Sequence, residues 1–281
     1  MITRQKATAE RLFRKASKLH LEVFISSPDT FQSTSTLIYG DNELILIDAQ
    51  FTLGEARSLA ARIKATGRKL TTVYITHGHP DHYWGLNAIR DAFPHAKFVS
   101  VPEVIETIHR LLPGEMAQWK PLFGEDIPDS PVIPEPVEQN MLELEGNTIA
   151  IIKSVQGDKE GSSFVWIPTL KAIVCGDTVY DNVNVWVQET DRAARERWAQ
   201  TLDEIASLRP EIVVAGHAEM NSRNGPGSIS FTKKYLAAYD RALETSKSAD
   251  EVIAKIKADF PQLNGLDGVL QMAANAAFLK K

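Results

Sequence analysis

Cysteine is almost missing from this chain of 281 residues, which excludes several kinds of site. Cys175 is the single cysteine, so the chain forms no internal disulfide and no thiolate-rich zinc or iron–sulfur site. No apolar run approaches the ~18 residues that a membrane-spanning helix needs. Residues 1–20 also lack the apolar segment of a signal peptide. We therefore expect a cytoplasmic protein without a membrane span, unless an export signal has been removed.

Positive charge is also in short supply. Lys and Arg number 31 against 36 Asp and Glu, which gives a net charge of −5. Nucleic-acid binders usually carry a basic surface, so nucleic acid is not an expected partner. Basic residues do concentrate in residues 4–19, where apolar positions recur at helical spacing. We interpret residues 1–20 as an amphipathic terminal helix docked on the domain; an acidic partner or a membrane surface is the alternative.

The rest of the chain alternates between strand and helix patterns and indicates an α/β fold. A core is predicted over residues 21–225, followed by a C-terminal helical extension over residues 226–281. Between residues 113 and 140, six prolines break the pattern. After a helix over residues 102–111, we therefore predict a long irregular segment there that serves as a lid.

The densest group of possible metal ligands directly follows a predicted strand. Four of them occur within six residues, namely His77, His79, Asp81 and His82. In an extended segment, positions two apart project to the same side, so His77 and His79 can share one metal. Asp81 and His82 follow a proline that bends the backbone and can face a second metal. Imidazole and carboxylate ligands suit zinc, with iron or manganese as alternatives.

This segment resembles the His-x-His-x-Asp-His signature of the metallo-β-lactamase fold superfamily. Two later positions extend the resemblance in order: Asp177 looks like the family's bridging aspartate, and His217 looks like its last histidine. Each follows a glycine at the end of a predicted strand. The resemblance covers roughly residues 21–220 and implies a four-layer αββα sandwich that carries a metal-dependent hydrolase site.

One position departs from the family pattern. The usual Gly-His-Thr-x-Gly-Ser stretch reads Gly-Asp-Lys-Glu-Gly-Ser here, so Asp158 stands where a histidine is expected. No histidine occurs between His109 and His217 to replace it. Either Asp158 ligates the first metal or it is an ordinary turn residue. A carboxylate oxygen is a competent zinc ligand, and we favour ligation because the surrounding glycines place Asp158 where a ligand belongs.

The resemblance implies two divalent metal ions, with zinc as the first expectation. The first expected ligand set is His77, His79 and Asp158. The second set is Asp81, His82 and His217, and Asp177 would bridge the two ions. A hydroxide held between the two ions would be the nucleophile. Tyr180, three residues after Asp177, resembles a tyrosine of acyl-homoserine lactonases, and with Asp81 it is a catalytic candidate. A tyrosine that only packs in the turn is the alternative.

The charge of this ligand set bears on the substrate. Three carboxylates and a hydroxide cancel the charge of two divalent ions, so the site is less attractive to anions. We predict a small-molecule acyl substrate with a neutral carboxylic ester or lactone bond. Thioesters, β-lactams, a mononuclear iron oxygenase and a non-catalytic metal protein are the alternatives. The sequence also predicts a partly aromatic pocket, with candidate residues Phe31, Phe51, Trp84, Trp119, Trp166 and Trp186.

Overall fold

A computed structural model describes residues 16–279. The helix predicted over residues 4–19 therefore lies mostly outside the described part, and residues 16–19 have no regular secondary structure. The described strands are β1 His20–Ile25, β2 Thr34–Tyr39, β3 Glu43–Ile47, β4 Lys69–Tyr74, β5 Lys97–Ser100, β6 Glu135–Pro136, β7 Met141–Leu144, β8 Asn147–Gln156, β9 Glu160–Ile167, β10 Ala172–Val174, β11 Tyr180–Asp181, β12 Ile212–Val214 and β13 His217–Ala218.

The helices alternate with these strands and then dominate the C-terminal part. The described α-helices are α1 Leu53–Ala65, α2 Pro80–Tyr83, α3 Leu86–Ala92, α4 Pro102–Phe123, α5 Arg192–Ser207, α6 Gly227–Thr245, α7 Ala249–Asp259 and α8 Asp267–Leu279. Caps fix several of the helix starts, as at α5, where the Asp191 side chain accepts a hydrogen bond from the Ala194 amide. Within residues 16–279, none of the helices has the length and apolar character needed to cross a membrane.

Two sheets carry the fold. The first has six strands in the order β1-β2-β3-β4-β5-β6, with β1 to β3 antiparallel and β3 to β6 parallel. The second has five strands in the order β12-β10-β9-β8-β7, and β10 and β12 are parallel. Ile45 of the first sheet and Val165 of the second belong to one buried core. The two sheets therefore pack face to face.

Helices cover the outer faces and complete the four-layer αββα sandwich that the family resemblance implies. Leu59 of α1 and Ile89 of α3 are buried against the first sheet. On the other side, Trp198 of α5 and Leu236 of α6 join a second buried cluster with Ile173 of β10. Helices α7 and α8 contribute to the same cluster. The C-terminal helices therefore form part of the outer layer over the second sheet.

The prediction that residues 113–140 are irregular is wrong for its first third. Helix α4 runs from Pro102 to Phe123 and contains Pro113 and Pro121. Proline disfavours a helix because it removes one amide donor and crowds the preceding turn. Here the continued helix is stabilised by one apolar face at helical spacing, which packs against the main core through Leu112, Met116, Trp119 and Phe123.

Candidate metal centre

The predicted ligands converge where several strands end. Residues 76–79 follow β4 of the first sheet, whereas Asp177 and His217 follow β10 and β12 of the second. Asp158 lies in the turn between β8 and β9. The two sheets are joined at this edge, because the Ser163 amide donates a hydrogen bond to the Thr76 carbonyl over 2.9 Å. The sandwich thus brings together residues that are far apart in the sequence.

The first expected ligand set forms a buried cluster. His77, His79, Asp158 and Asp177 each offer a ligand atom, and these atoms lie within 4.8 Å of one another. His79 Nδ1 is 3.0 Å from Asp158 Oδ2, and His77 Nε2 is 3.4 Å from Asp177 Oδ2. Asp158 is fully buried. Asp158 therefore lies in the same cluster as His77 and His79, and its role as a metal ligand stays a prediction.

The second expected set lies directly beside the first. Asp81, His82 and His217 also offer ligand atoms within 4.8 Å of one another. His82 Nε2 is 3.0 Å from Asp177 Oδ1, and His217 Nε2 is 3.1 Å from Asp177 Oδ2. Asp177 thus contacts histidines of both sets, which is the arrangement that a bridging carboxylate requires.

Glycines make this close approach possible. A Cβ atom at Gly216 would lie 2.1 Å from Asp177 Oδ1, and one at Gly176 would lie 2.4 Å from the Thr76 hydroxyl. Gly176 also has a φ of +50°, which side-chain-bearing residues rarely adopt. A side chain at the position before Asp177 or before His217 would therefore clash with the cluster, which explains the glycine at each.

The polar atoms at the centre of the cluster fit divalent cations. Within residues 16–279, five buried atoms of the cluster make at most a close histidine–carboxylate contact and no well-oriented hydrogen bond, namely His77 Nε2, His82 Nε2, Asp158 Oδ1, Asp158 Oδ2 and Asp177 Oδ1. Leaving so many polar atoms unsatisfied is costly unless another group binds them. Imidazole nitrogens and carboxylate oxygens that face one point suit zinc, iron or manganese.

The electrostatic field of the site favours positive charge. Burial alone would raise the pKa of Asp177, but His217, His77 and His82 hold that pKa well below its usual range. Burial would likewise lower the pKa of His82, but Asp177 and Asp81 raise it. Since the carboxylates are ionised and stabilise cations, bound metal ions would replace the protons that the histidines otherwise hold.

The comparison with known families agrees with this geometry. The model of the metallo-beta-lactamase superfamily matches residues 28–217. The chain belongs to this superfamily. Membership implies divalent metal ions and a hydrolase-type metal site, and the matched range contains both clusters described above.

Solved structures of the superfamily share the fold. A metallo-beta-lactamase family protein from Thermus thermophilus is 20% identical, with a TM-score of 0.67 and 93% of each chain covered. A metallo-beta-lactamase from Hirschia baltica is 13% identical, with a TM-score of 0.57 over 78% of this chain and 92% of the other. At these identities the likeness concerns the fold alone.

A curated relative matches a smaller part. The uncharacterized protein YobT from Bacillus subtilis (strain 168) is 29% identical over 105 residues, which are 37% of this chain. The match spans 41% of that relative, less than half its length.

Two carboxylates that support metal-site histidines escaped the sequence analysis. Asp48 follows β3, and its Oδ2 lies 2.9 Å from His82 Nδ1. Asp48 also accepts hydrogen bonds from the amide and hydroxyl of Thr76. Glu189, in the loop before α5, lies with Oε1 2.8 Å from His79 Nε2. The only feature of the sequence that could have pointed to Asp48 as a site residue is its position directly after a predicted strand. No sequence feature pointed to Glu189.

A cavity of about 230 Å³ lies above this superfamily site. Its floor includes His79, Asp81, Asp177, Tyr180 and His217. Its walls come from the loops after β1 and β3, the second half of α4, the loop before α5 and the region around α8. The wall residues are Phe31, Phe51, Glu115, Gln118, Trp119, Trp186, Gln188, Glu189, Leu266, Val269 and Met272.

Four of the six aromatic residues predicted for the pocket are in these walls. Phe31 and Phe51 pack edge-on against Trp119, with centroids 5.3 and 5.8 Å away. Trp84 is fully buried and stacks beneath Phe51, whereas Trp166 is not among the lining residues. The part of α4 that was predicted to be a lid thus covers the site as a helix.

Proposed function

We propose that this chain is a binuclear metal-dependent hydrolase of small neutral carboxylic esters or lactones. The cavity above the metal cluster carries this proposal. Its walls are largely aromatic and aliphatic, and within the described residues 16–279 no Lys or Arg lines it. Its volume of about 230 Å³ is below the roughly 300–1,000 Å³ of typical ligand pockets. Such a site favours a compact, uncharged acyl group.

The charge of the cavity supports the same substrate class. Glu115 and Glu189 line the walls, in addition to Asp81 and Asp177 on the floor. Lys159 pairs with Glu189, but within the described residues no Lys or Arg lines the cavity itself. An anionic group in the cavity above the metal ions would therefore have no cationic side chain to pair with, and desolvating an unpaired charge is costly. β-Lactam antibiotics that carry a carboxylate are therefore poorer candidates than neutral lactones or esters.

Two residues on the floor have the protonation states that acyl transfer needs. When bound, two divalent ions would acidify the attacking water and polarise the scissile carbonyl. Burial, Asp177 and Asp158 raise the pKa of Tyr180 well above its usual value, so the phenol keeps its proton. The hydroxyl uses this proton in a hydrogen bond to Asp177 Oδ2, and the proton would become available to a developing oxyanion once metal ions bind the Asp177 carboxylate. Burial would raise the pKa of Asp81, but His82 and His217 hold it below its usual range. Asp81 therefore remains a hydrogen-bond acceptor.

A substrate panel tests the proposal. Purified protein reconstituted with zinc, manganese or iron is assayed with one acyl group presented as an ester, a lactone and a thioester, each in a neutral and a carboxylate-bearing form. A carboxylate-bearing β-lactam completes the panel. We expect two ions per chain and higher kcat/KM for the neutral ester or lactone than for its anionic counterpart.

The alternatives give different results. Preference for the thioester or the β-lactam would contradict the proposed substrate class but would still agree with a metal-dependent hydrolase. About one ion per chain together with oxygen consumption would indicate a mononuclear oxygenase and would refute the binuclear mechanism. Metal binding without turnover of any acyl substrate would leave a non-catalytic metal protein.

A further inference from the structure

Glu189 is placed to act on the metal centre through His79. Its Oε1 is 2.8 Å from His79 Nε2, and the Trp186 indole N–H donates to the same oxygen over 3.2 Å. Its other oxygen is 2.5 Å from the Lys159 ammonium. Both carboxylate oxygens are therefore occupied, and each contact comes from a different side chain.

The contact with Glu189 determines how His79 can bind a metal. Nδ1 of His79 faces the cluster, 3.0 Å from Asp158 Oδ2 and 3.7 Å from Asp177 Oδ2. A neutral imidazole that ligates through Nδ1 must carry its proton on Nε2, which then needs an acceptor. Glu189 supplies that acceptor. Such a hydrogen bond fixes the tautomer and the ring orientation and makes the ligand nitrogen more basic.

Lys159 links this support to the other unusual ligand. Lys159 is adjacent to Asp158 and is only 7% exposed. Its ion pair with Glu189 joins the turn between β8 and β9, which carries Asp158, to the loop before α5. The pair also balances the charge of Glu189, so the added carboxylate brings no net negative charge to the metal site. A buried ammonium that lost its partner would be strongly destabilising.

We infer that Glu189 is a positioning residue for the first metal site, which it orients through His79, and that Lys159 holds Glu189 in place. This inference rests on the proposed metal-dependent function. Asp48 has the corresponding contact with His82 in the second site, so each site has its own supporting carboxylate. The inference therefore predicts that Glu189 acts on one site and leaves the other unchanged.

The chain offers a matched control in Glu115. Glu115 also lines the cavity and also accepts a hydrogen bond from a tryptophan, since Trp119 Nε1 donates to its Oε2 over 2.8 Å. Within the described residues, its recorded hydrogen bond is to Trp119 and none joins it to a metal-site histidine. Glu115→Gln thus removes a carboxylate from the same cavity without removing a hydrogen bond to His79. It serves as a control for the through-space effect of a cavity carboxylate on His79.

The test measures metal binding rather than turnover. Zinc affinities of both sites are determined by competition with a chromophoric chelator, and the absorption spectrum of the cobalt(II) form reports the ligand geometry. His77→Ala and His217→Ala serve as references for loss of the first and the second site. For Glu189→Gln we expect ~10–100-fold weaker binding at the first site, an altered first-site cobalt spectrum and an unchanged second site.

Two further variants complete the experiment. Lys159→Met keeps the Glu189 carboxylate as the acceptor for His79 but removes the ion pair that holds Glu189 in place. We therefore expect a smaller loss of zinc affinity at the first site than in Glu189→Gln. Glu115→Gln is expected to retain both zinc affinities and the parent spectrum. Thermal unfolding of the metal-free proteins shows whether each variant is folded, and Lys159→Met tests the link independently if Glu189→Gln fails to fold.

Three outcomes decide the inference. Selective weakening of the first site supports it. Equal weakening of both sites would show that Glu189 only stabilises the fold, and unchanged affinities with an unchanged spectrum would show that His79 does not depend on it. Both of these overturn the inference. If the parent protein binds no metal, the proposed function itself fails, and the parent titration alone reveals this.

Discussion

The phenolic hydroxyl of Tyr180 donates a hydrogen bond to Asp177 Oδ2 over 3.0 Å. The Tyr180 ring also stacks on the imidazole of His217, with centroids 5.2 Å apart and planes inclined by 13°. Strand pairing fixes this arrangement, because Tyr180 and His217 are direct neighbours in the parallel pair β11 and β13. From the sequence, Tyr180 could be either a catalytic or a packing residue. In the structure it is hydrogen-bonded to the proposed bridging carboxylate and lines the cavity.

Tyr180→Phe is expected to lower kcat rather than to prevent metal binding. The variant removes one donor from the floor of the cavity, and losing such a donor typically costs ~10²–10³ in kcat. We would measure kcat with the best ester or lactone substrate and, separately, the metal content of the purified variant. Tyr235→Phe is the matched control, because Tyr235 is equally buried. Its hydroxyl donates a 3.1 Å hydrogen bond to Asn184 Oδ1, which is not one of the cluster residues. An unchanged kcat in Tyr180→Phe would leave this tyrosine a packing residue.

Asp177→Ala is expected to remove metal and activity together. Asp177 contacts histidines of both ligand sets, so its loss takes the shared ligand from both sites and activity falls by orders of magnitude. Elemental analysis and kcat/KM check this. Asp203→Asn, which changes an exposed aspartate paired with Lys233, should retain both ions. Near-normal turnover by Asp177→Ala would contradict the bridging role.

The residues with a local signature could be predicted from the sequence. His77, His79, Asp81 and His82 occur within six positions, and glycine marks the approach to Asp177 and His217. The chemistry of these short segments does not depend on knowing their neighbours. The alternation of strand and helix patterns predicts the α/β class, and the family resemblance implies the four-layer sandwich that the structure shows.

The parts that could not be predicted depend on distant contacts. Glu189 and His79 are 110 positions apart, and an isolated glutamate in a loop has no feature that distinguishes it from a solvated one. The continuation of α4 was missed for another reason. Proline propensity outweighed the helical spacing of the apolar residues, although tertiary packing of that face stabilises the helix.

Glu145 gives a prediction about stability and pH. Its carboxylate accepts hydrogen bonds from the backbone amides of Asp41, Asn42 and Glu43 at the turn of the β2–β3 hairpin. Burial opposes ionisation, but Ser17 and these amides together lower the pKa of Glu145 to about 2. Because the folded pKa lies below the unfolded value of ~4.3, the stabilisation is present above pH ~4.3 and is lost as the pH falls towards 2.

We therefore expect Glu145→Gln to reduce the free energy of unfolding at neutral pH by about 1 kcal/mol, allowing for partial solvent screening. The difference from the parent should shrink between pH ~4.3 and 2. Urea unfolding at several pH values measures this, with Glu138→Gln as a control at an exposed glutamate. A difference that stays constant over this range would mean that the ionised carboxylate is not the stabilising group.

Asp158 provides the sharpest test of the metal centre, because it is where this chain departs from the pattern of its superfamily. Asp158 is fully buried. Its Oδ2 lies 3.0 Å from His79 Nδ1, and its Oδ1 has no hydrogen-bond partner within residues 16–279. If it ligates the first metal, Asp158→Ala should weaken that site more than the second. Chelator competition with zinc, manganese and iron measures both affinities.

Replacing Asp158 by histidine should also change the pH dependence. A carboxylate ligand is negative and an imidazole is neutral, so Asp158 as a ligand would make bound metal ions weaker Lewis acids and would raise the pKa of the attacking water. Asp158→His should therefore move the acidic limb of the kcat/KM profile to lower pH and improve the relative kcat/KM of anionic substrates. The harder oxygen ligand should favour manganese or iron over zinc in the parent relative to this variant. Asp158→Asn separates charge from ligation, since an amide oxygen at this position could still bind a metal ion without the negative charge. If Asp158→Ala retained both ions and the parent pH profile, Asp158 would be a turn residue and the charge argument for a neutral substrate would lose one of its supports.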